Sequence, residues 1–199
     1  MENFIIGTNI VSSGCFLIGK NLLLRHNLDV MHIEKNVFDN LMNTVLNVPG
    51  KTKDNIESRL DLPSICNRPH LHVLSSGRGP IPRFILDGDA KDALFRWIVQ
   101  KVKFPDGYAS NLRNYVDNQE GRLSGMKSHD CHVFMQRLLP FAFVNLLPKN
   151  EHEAIAGISA FFKDLCTRSL TPAGIRQLAN NIPVLICNLE NIFPPSFSM

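Results

Sequence analysis

The sequence predicts an all-α protein: an irregular helical bundle with long loops and a C-terminal three-helix antiparallel core. Apolar residues recur at the helical period through the last third of the chain, and no alternating strand pattern of useful length occurs anywhere. Capping residues and prolines also fall where those periodic stretches begin and end.

Asp29 is placed to cap a helix over 30–48, with Pro49-Gly50 as its stop. A short polar helix follows over 53–60. Residues 63–86 carry Pro63, Pro69, Pro80, Pro82, Gly77 and Gly79, which marks an irregular linker. Asp87 or Asp89 then opens a helix through Ala93, Leu94, Trp97, Ile98 and Val102, closed by the turn residues Phe104-Pro105-Asp106-Gly107. Residues 105–127 read as loop, with a short turn near Leu112 and Tyr115.

The last third is the most legible. Ser128 is placed to cap a helix over 129–147 that is apolar nearly all round, which implies deep burial, with a kink at Pro140. A helix over 151–167 follows. At ~100° per residue its Ala154, Ile155, Ile158, Phe161, Phe162 and Leu165 fall on one side and Glu153, Lys163, Asp164 and Arg168 on the other. Thr171-Pro172 is an N-cap followed by proline at the first helical position. Ile175, Leu178, Ile182, Leu185, Ile186 and Leu189 continue as a stripe, with a bend expected at Pro183, and Phe193-Pro194-Pro195 ends the helix. Short connections favour antiparallel packing of these three.

A chain of 199 residues can bury one substantial core. The net charge of +3, with basic residues scattered, provides no electrostatic stripe for nucleic acid. Cys15, Cys66, Cys131, Cys166 and Cys187 are odd in number, widely spaced and without a CxxC pair, which fits a reducing intracellular compartment. No apolar run approaches the ~18 residues of a membrane span, and Met1 to Ile18 lacks the basic start of a secretory signal.

Two clusters could carry chemistry. In the first, Val30, Val37, Phe38, Leu41 and Val45 define an apolar helix face with Glu34 in its middle, while His32 projects to the far side beside Asp39. A buried, unpaired carboxylate costs several kcal/mol, which a metal ion or a partner base would offset. A wet edge near the helix N-terminus would equally accommodate it. The second cluster is Ser128-His129-Asp130-Cys131-His132. His129 and His132 share a helical face, as metal ligands can, whereas Cys131 and His132 diverge by ~100° and cannot form a nucleophile pair. Metal binding by His129, Cys131 and His132 stands beside a plainer account, a helix start with hydrogen-bonded histidines. Gly77-Arg78-Gly79-Pro80 is no phosphate loop, having neither a preceding strand nor a following Lys-Ser/Thr.

At these residues a resemblance emerges. Leu24-Arg25-His26-Asn27-Leu28-Asp29-Val30-Met31-His32-Ile33-Glu34-Lys35-Asn36-Val37, continuing to Leu46-Asn47-Val48-Pro49-Gly50-Lys51-Thr52-Lys53-Asp54, closely resembles the C-terminal end of the plant CACTA (En/Spm-like) transposase domain. Lys103-Phe104-Pro105-Asp106-Gly107-Tyr108-Ala109-Ser110-Asn111, Gly125-Met126-Lys127-Ser128-His129-Asp130-Cys131-His132-Val133-Phe134-Met135-Gln136 and Phe193-Pro194-Pro195-Ser196-Phe197 are similar to the domain of unknown function that follows it in these elements. The resemblance divides the chain into an unmatched segment (1–20), a truncated transposase tail (21–62), the linker (63–86) and a truncated transposon-associated helical domain (87–199).

The resemblance implies a parent of the RNase H-like DDE class, in which three carboxylates hold two divalent metals, ordinarily Mg²⁺. It makes Glu34 the candidate remnant catalytic carboxylate and Asp29 the runner-up or a simple cap. The two upstream aspartates of the triad have no counterpart here, so no cofactor is expected for the fragment. It implies a nuclear location and, as partners, transposon DNA or other transposase subunits, with no membrane and no small-molecule substrate. Two functions follow: a remnant acting as a non-catalytic helical interaction module, or a component of a DNA transposase whose remaining carboxylates lie in another chain or a longer product. With the parent's sheet missing, Val37, Phe38 and Leu41 would lack cover, which predicts poor order for residues 1–60.

Overall fold

The computed structural model describes residues 29–65, 68–73, 79–194 and 197. The readings that concern 1–28, Cys66, Gly77-Arg78 and Pro195-Ser196 lie outside the described residues. The fold is all-α, with a single two-residue antiparallel ladder, Val116–Asp117 against Arg122–Leu123, among the described residues.

Helix α1 spans Val30–Val45. The Asp29 carboxylate accepts from the amides of Met31 and His32, as the sequence leads one to expect of an N-cap. At the other end Asn47 takes a positive φ of 47°, Val48 N–H donates to the Asn43 carbonyl and Asn47 N–H to that of Thr44. This is a Schellman stop, so the helix ends before Pro49 is reached. Leu46 N–H bonds back to Met42, and the remaining Val45 carbonyl accepts from Leu86 N–H.

The apolar face of α1 does not lack cover. Phe38, Leu41, Met42 and Val45 are buried in one core with Leu94, Ile98, Phe134, Leu139, Ile155 and Phe162, and α1 packs chiefly on helix α5, Ser128–Val133. The expectation of poor order therefore fails for the described part of 1–60. The element that supplies cover is the helical region downstream rather than a sheet.

Helices α2 (Ile56–Leu60) and α3 (Leu62–Ile65) lead into the proline-rich stretch. Its described residues include the end of α3 and a 3-10 turn, Pro69–Leu71, so it is less irregular than the prolines suggest; Leu71, Phe84 and Leu86 are buried, and the last two belong to the same core as α1. A buried, two-pronged pair fixes it: Arg59 Nε and Nη2 donate to the two Asp54 oxygens at 2.6 and 2.7 Å, and Nη1 donates to the Pro80 carbonyl at 2.7 Å. A Cβ on Gly79 would run into that guanidinium, so the glycine permits the close approach.

Helix α4, Gly88–Gln100, is capped by Asp87, whose side chain accepts from Ala90 N–H at 2.8 Å. Gly107 (φ 77°) makes the turn that follows, and a 3-10 turn, Leu112–Tyr115, sits where a short turn was predicted.

Helix α5 begins at Ser128, one residue earlier than predicted, and Ser128 is not its cap. The carboxylate of Asp130 reaches back to the Lys127 amide instead. The helical path continues as a π segment, Phe134–Leu138, and helix α6, Leu139–Ala142. Pro140 lacks the N–H that would bond one turn back, and the widened turn just before it is how the chain accommodates that loss. The Met135 carbonyl is satisfied by the buried Ser159 hydroxyl at 2.7 Å. Burial is less complete than the composition suggests, since Phe141 and Val144 are exposed.

Helix α7, Lys149–Leu165, buries Ala154, Ile155, Ile158, Phe161 and Phe162, the stripe read from the sequence. Helix α8, Pro172–Ile192, is capped by Thr171 and runs on through Pro183. A Cβ on Gly157 would meet Leu185 Cδ1 at 2.9 Å, which explains a mid-helix glycine where α7 and α8 touch.

The core account predicts that Leu41→Ala lowers unfolding stability by about 2–5 kcal/mol, the cost of a buried leucine cavity. Urea denaturation checks this; a change under ~1 kcal/mol would show that α1 is not part of the cooperative core.

Candidate functional site

The helical period places Glu34 one turn before Phe38, on the stripe that α1 turns toward α5. Its side chain is fully buried, so the wet-edge account does not hold. His132, on the last turn of α5, meets it: His132 Nδ1 lies 2.6 Å from Glu34 Oε2. Phe38 and Phe134 pack beside this contact with ring centroids 5.3 Å apart. The two clusters that the sequence singles out separately, ninety-eight residues apart in the chain, thus converge on one spot.

Gln136, one helical turn beyond His132, closes the spot from the π segment. Its Nε2 lies 3.2 Å from His132 Nδ1 and donates to the Phe162 carbonyl at 3.2 Å. Cys166, the residue that ends α7, brings a third donor. Glu34, His132 and Cys166 place one ligand atom each within 4.8 Å of one another, the one such group among the described residues.

The electrostatics follow from burial. Loss of water pushes the Glu34 carboxyl above its ordinary range; hydrogen bonding and charge at His132, and hydrogen bonding from Gln136, pull it back without cancelling the effect. Burial likewise pushes the Cys166 thiol up, and the Glu34 charge adds to it. Glu34 Oε1 is buried with no hydrogen-bond partner. His132 Nδ1 faces conflicting demands: a carboxylate partner wants it protonated, whereas the Gln136 amide wants its lone pair.

The other sequence candidates are placed elsewhere. Asp29 is a cap with exposed surroundings, not part of the cluster. His129 is exposed, with its ring centroid 6.4 Å from that of His132. Cys131 is fully buried on another side of α5, in the field of Lys35, Asp39 and Asp130. Of the set read as His129, Cys131 and His132, only His132 lies at this spot: Cys131 points ~100° away from it on α5, and His129 is exposed and belongs to no group of gathered ligand atoms among the described residues. Asp130 is engaged at the start of α5. Burial pushes its carboxyl up, but hydrogen bonds from Tyr115 O–H (2.8 Å), Ser110 N–H (3.2 Å) and Lys127 N–H (3.3 Å) outweigh that and hold it below the usual range.

Sequence reasoning missed Gln136 and Cys166. Gln136 carries a signal, the four-residue spacing from His132 on one helical face. Cys166 carries none, since its place depends on how α7 docks.

Burial pushes the Cys131 thiol to about 12, whereas Cys187 is exposed. A thiol-specific reagent at mildly alkaline pH should therefore label Cys187 in the native chain and spare Cys131 until denaturant is added. Peptide mapping by mass spectrometry reads this, and rapid native labelling of Cys131 would contradict its placement.

Comparison with models of known protein families, with curated proteins and with solved structures yields no match.

Proposed function

We propose that this chain is a fragment of a plant CACTA-type transposon protein and works as a helical interaction module without DNA strand cleavage of its own. The sequence blocks around Glu34, Ser110 and His132 carry the family reading. The engagement of Glu34 carries the functional one: among the described residues the donors that gather around its carboxylate are an imidazole and a thiol rather than further acids. Two-metal strand transfer needs carboxylates that converge on a pair of ions. Asp29, the other acid in view, caps α1, its Oδ1 accepting from the Met31 and His32 amides. In this reading Glu34 fastens the transposase-like tail to the domain that follows it.

The modest charge of +3 favours protein partners, other subunits of the transposition machinery, over tight DNA binding by this chain alone. The corresponding location is the nucleus.

A plasmid-nicking assay in Mg²⁺ or Mn²⁺ tests the reading. The nuclease-free chain should leave supercoiled DNA intact. Cutting by the chain alone that disappears in Glu34→Gln would overturn it. Cutting that appears only when the chain is extended upstream would move the protein to the second reading, a component of a DDE transposase.

A further inference from the structure

We propose that Glu34, His132 and Cys166 form a site for a zinc-class divalent transition metal, which would tie α1, α5 and the end of α7 together. The inference does not depend on the transposon reading; it rests on the donor set and on what is wrong with that set when only protons are available to it.

Three observations point to a cation. First, the donors are one carboxylate oxygen, one imidazole nitrogen and one sulfur, drawn from three elements and gathered within 4.8 Å. Second, Glu34 has no exposed surface, yet its Oε1 has no hydrogen-bond partner. A buried carboxylate oxygen left this way is costly, and a positive ion is the group that best completes it. Third, His132 Nδ1 cannot serve both neighbours at once: as an N–H it donates to Glu34, and only with a free lone pair does it accept from Gln136. Metal ligation at Nδ1 ends that conflict and leaves Gln136 with its bond to the Phe162 carbonyl, the kind of outer contact that orients a ligand helix.

The chemistry selects the metal class. A thiolate beside an imidazole disfavours Mg²⁺ and Ca²⁺ and suits Zn²⁺ or Co²⁺. Charges balance: the carboxylate and the thiolate offset the dication, and Cys166 releases its proton to the buffer on binding. In a zinc tetrahedron N and O donors stand roughly 3.3–3.6 Å from their neighbours. The Glu34–His132 contact of 2.6 Å must therefore open slightly, which the partly exposed His132 side chain allows. Three protein ligands leave a fourth position, and the partial exposure of His132 and Cys166 lets water fill it.

The test uses the full chain, reduced, stripped with EDTA and desalted, then titrated with Co²⁺ alone and afterwards with Zn²⁺. The expected result is one Co²⁺ per chain, with tetrahedral visible bands and a thiolate-to-cobalt charge-transfer band, both lost when Zn²⁺ displaces the cobalt. Cys166→Ser should abolish the charge-transfer band and weaken binding about tenfold or more; Cys187→Ser should change neither. Because Cys166 is partly exposed at a helix end, Cys166→Ser should fold, and circular dichroism of that variant verifies it. Absence of stoichiometric Co²⁺ uptake by the parent chain overturns the proposal. So does a charge-transfer band that survives in folded Cys166→Ser. Neither result bears on the nicking assay, so this proposal and the transposon reading fail separately.

Discussion

A carboxylate removed from water is the constraint around which this structure is arranged. Glu34 lies on the buried stripe of α1 with no exposed surface, and a negative charge there needs a partner. The partner is His132, and the requirement that they meet fixes how α1 lies on α5. Phe38 against Phe134 then packs beside the contact, with Leu41 and Val45 extending the same core. Strength is not the reason for such a pair. An apolar replacement of both members is often neutral or stabilising, whereas loss of one partner costs ~3–5 kcal/mol. What the pair supplies in this fold is one defined polar contact between α1 and α5.

Polar fastening recurs wherever the backbone is irregular. Asp54 and Arg59 hold the proline-rich stretch through the Pro80 carbonyl. Asp130 gathers Ser110, Tyr115 and Lys127 into one web, so the loop before α5 is held by a residue of α5 itself. Ser159 completes a carbonyl of the π segment. Each places a hydrogen-bonding group where helix geometry leaves a donor or acceptor without its regular partner. No helix among the described residues is long and apolar enough to cross a membrane, and the buried polar groups here are those of a packed bundle.

The helices were readable because their signals are local. Asp29, Asp87 and Thr171 announce caps, and the Ile155-Ile158-Phe162 stripe announces a face. The same local chemistry misled at Ser128, where Asp130, two residues on, does the capping through the Lys127 amide. It misled again over 63–86, where the prolines suggested an irregular linker, yet Pro63 lies within α3, Pro69 opens a 3-10 turn, and Phe84 and Leu86 are buried. The site divides in the same way. The position of Glu34 on an apolar stripe left burial and a wet edge both open, and that His132 had a polar role followed from its cluster. That they meet, and that Cys166 joins them, depends on tertiary docking, which no spacing encodes.

The most direct test of this account is a double-mutant cycle on Glu34→Gln and His132→Asn, with stability measured by urea unfolding in EDTA. If the buried contact couples α1 to α5, the two changes are non-additive by ~1 kcal/mol or more, within the range for contacting residues. Additivity within ~0.3–0.5 kcal/mol, the behaviour of distant sites, would contradict it.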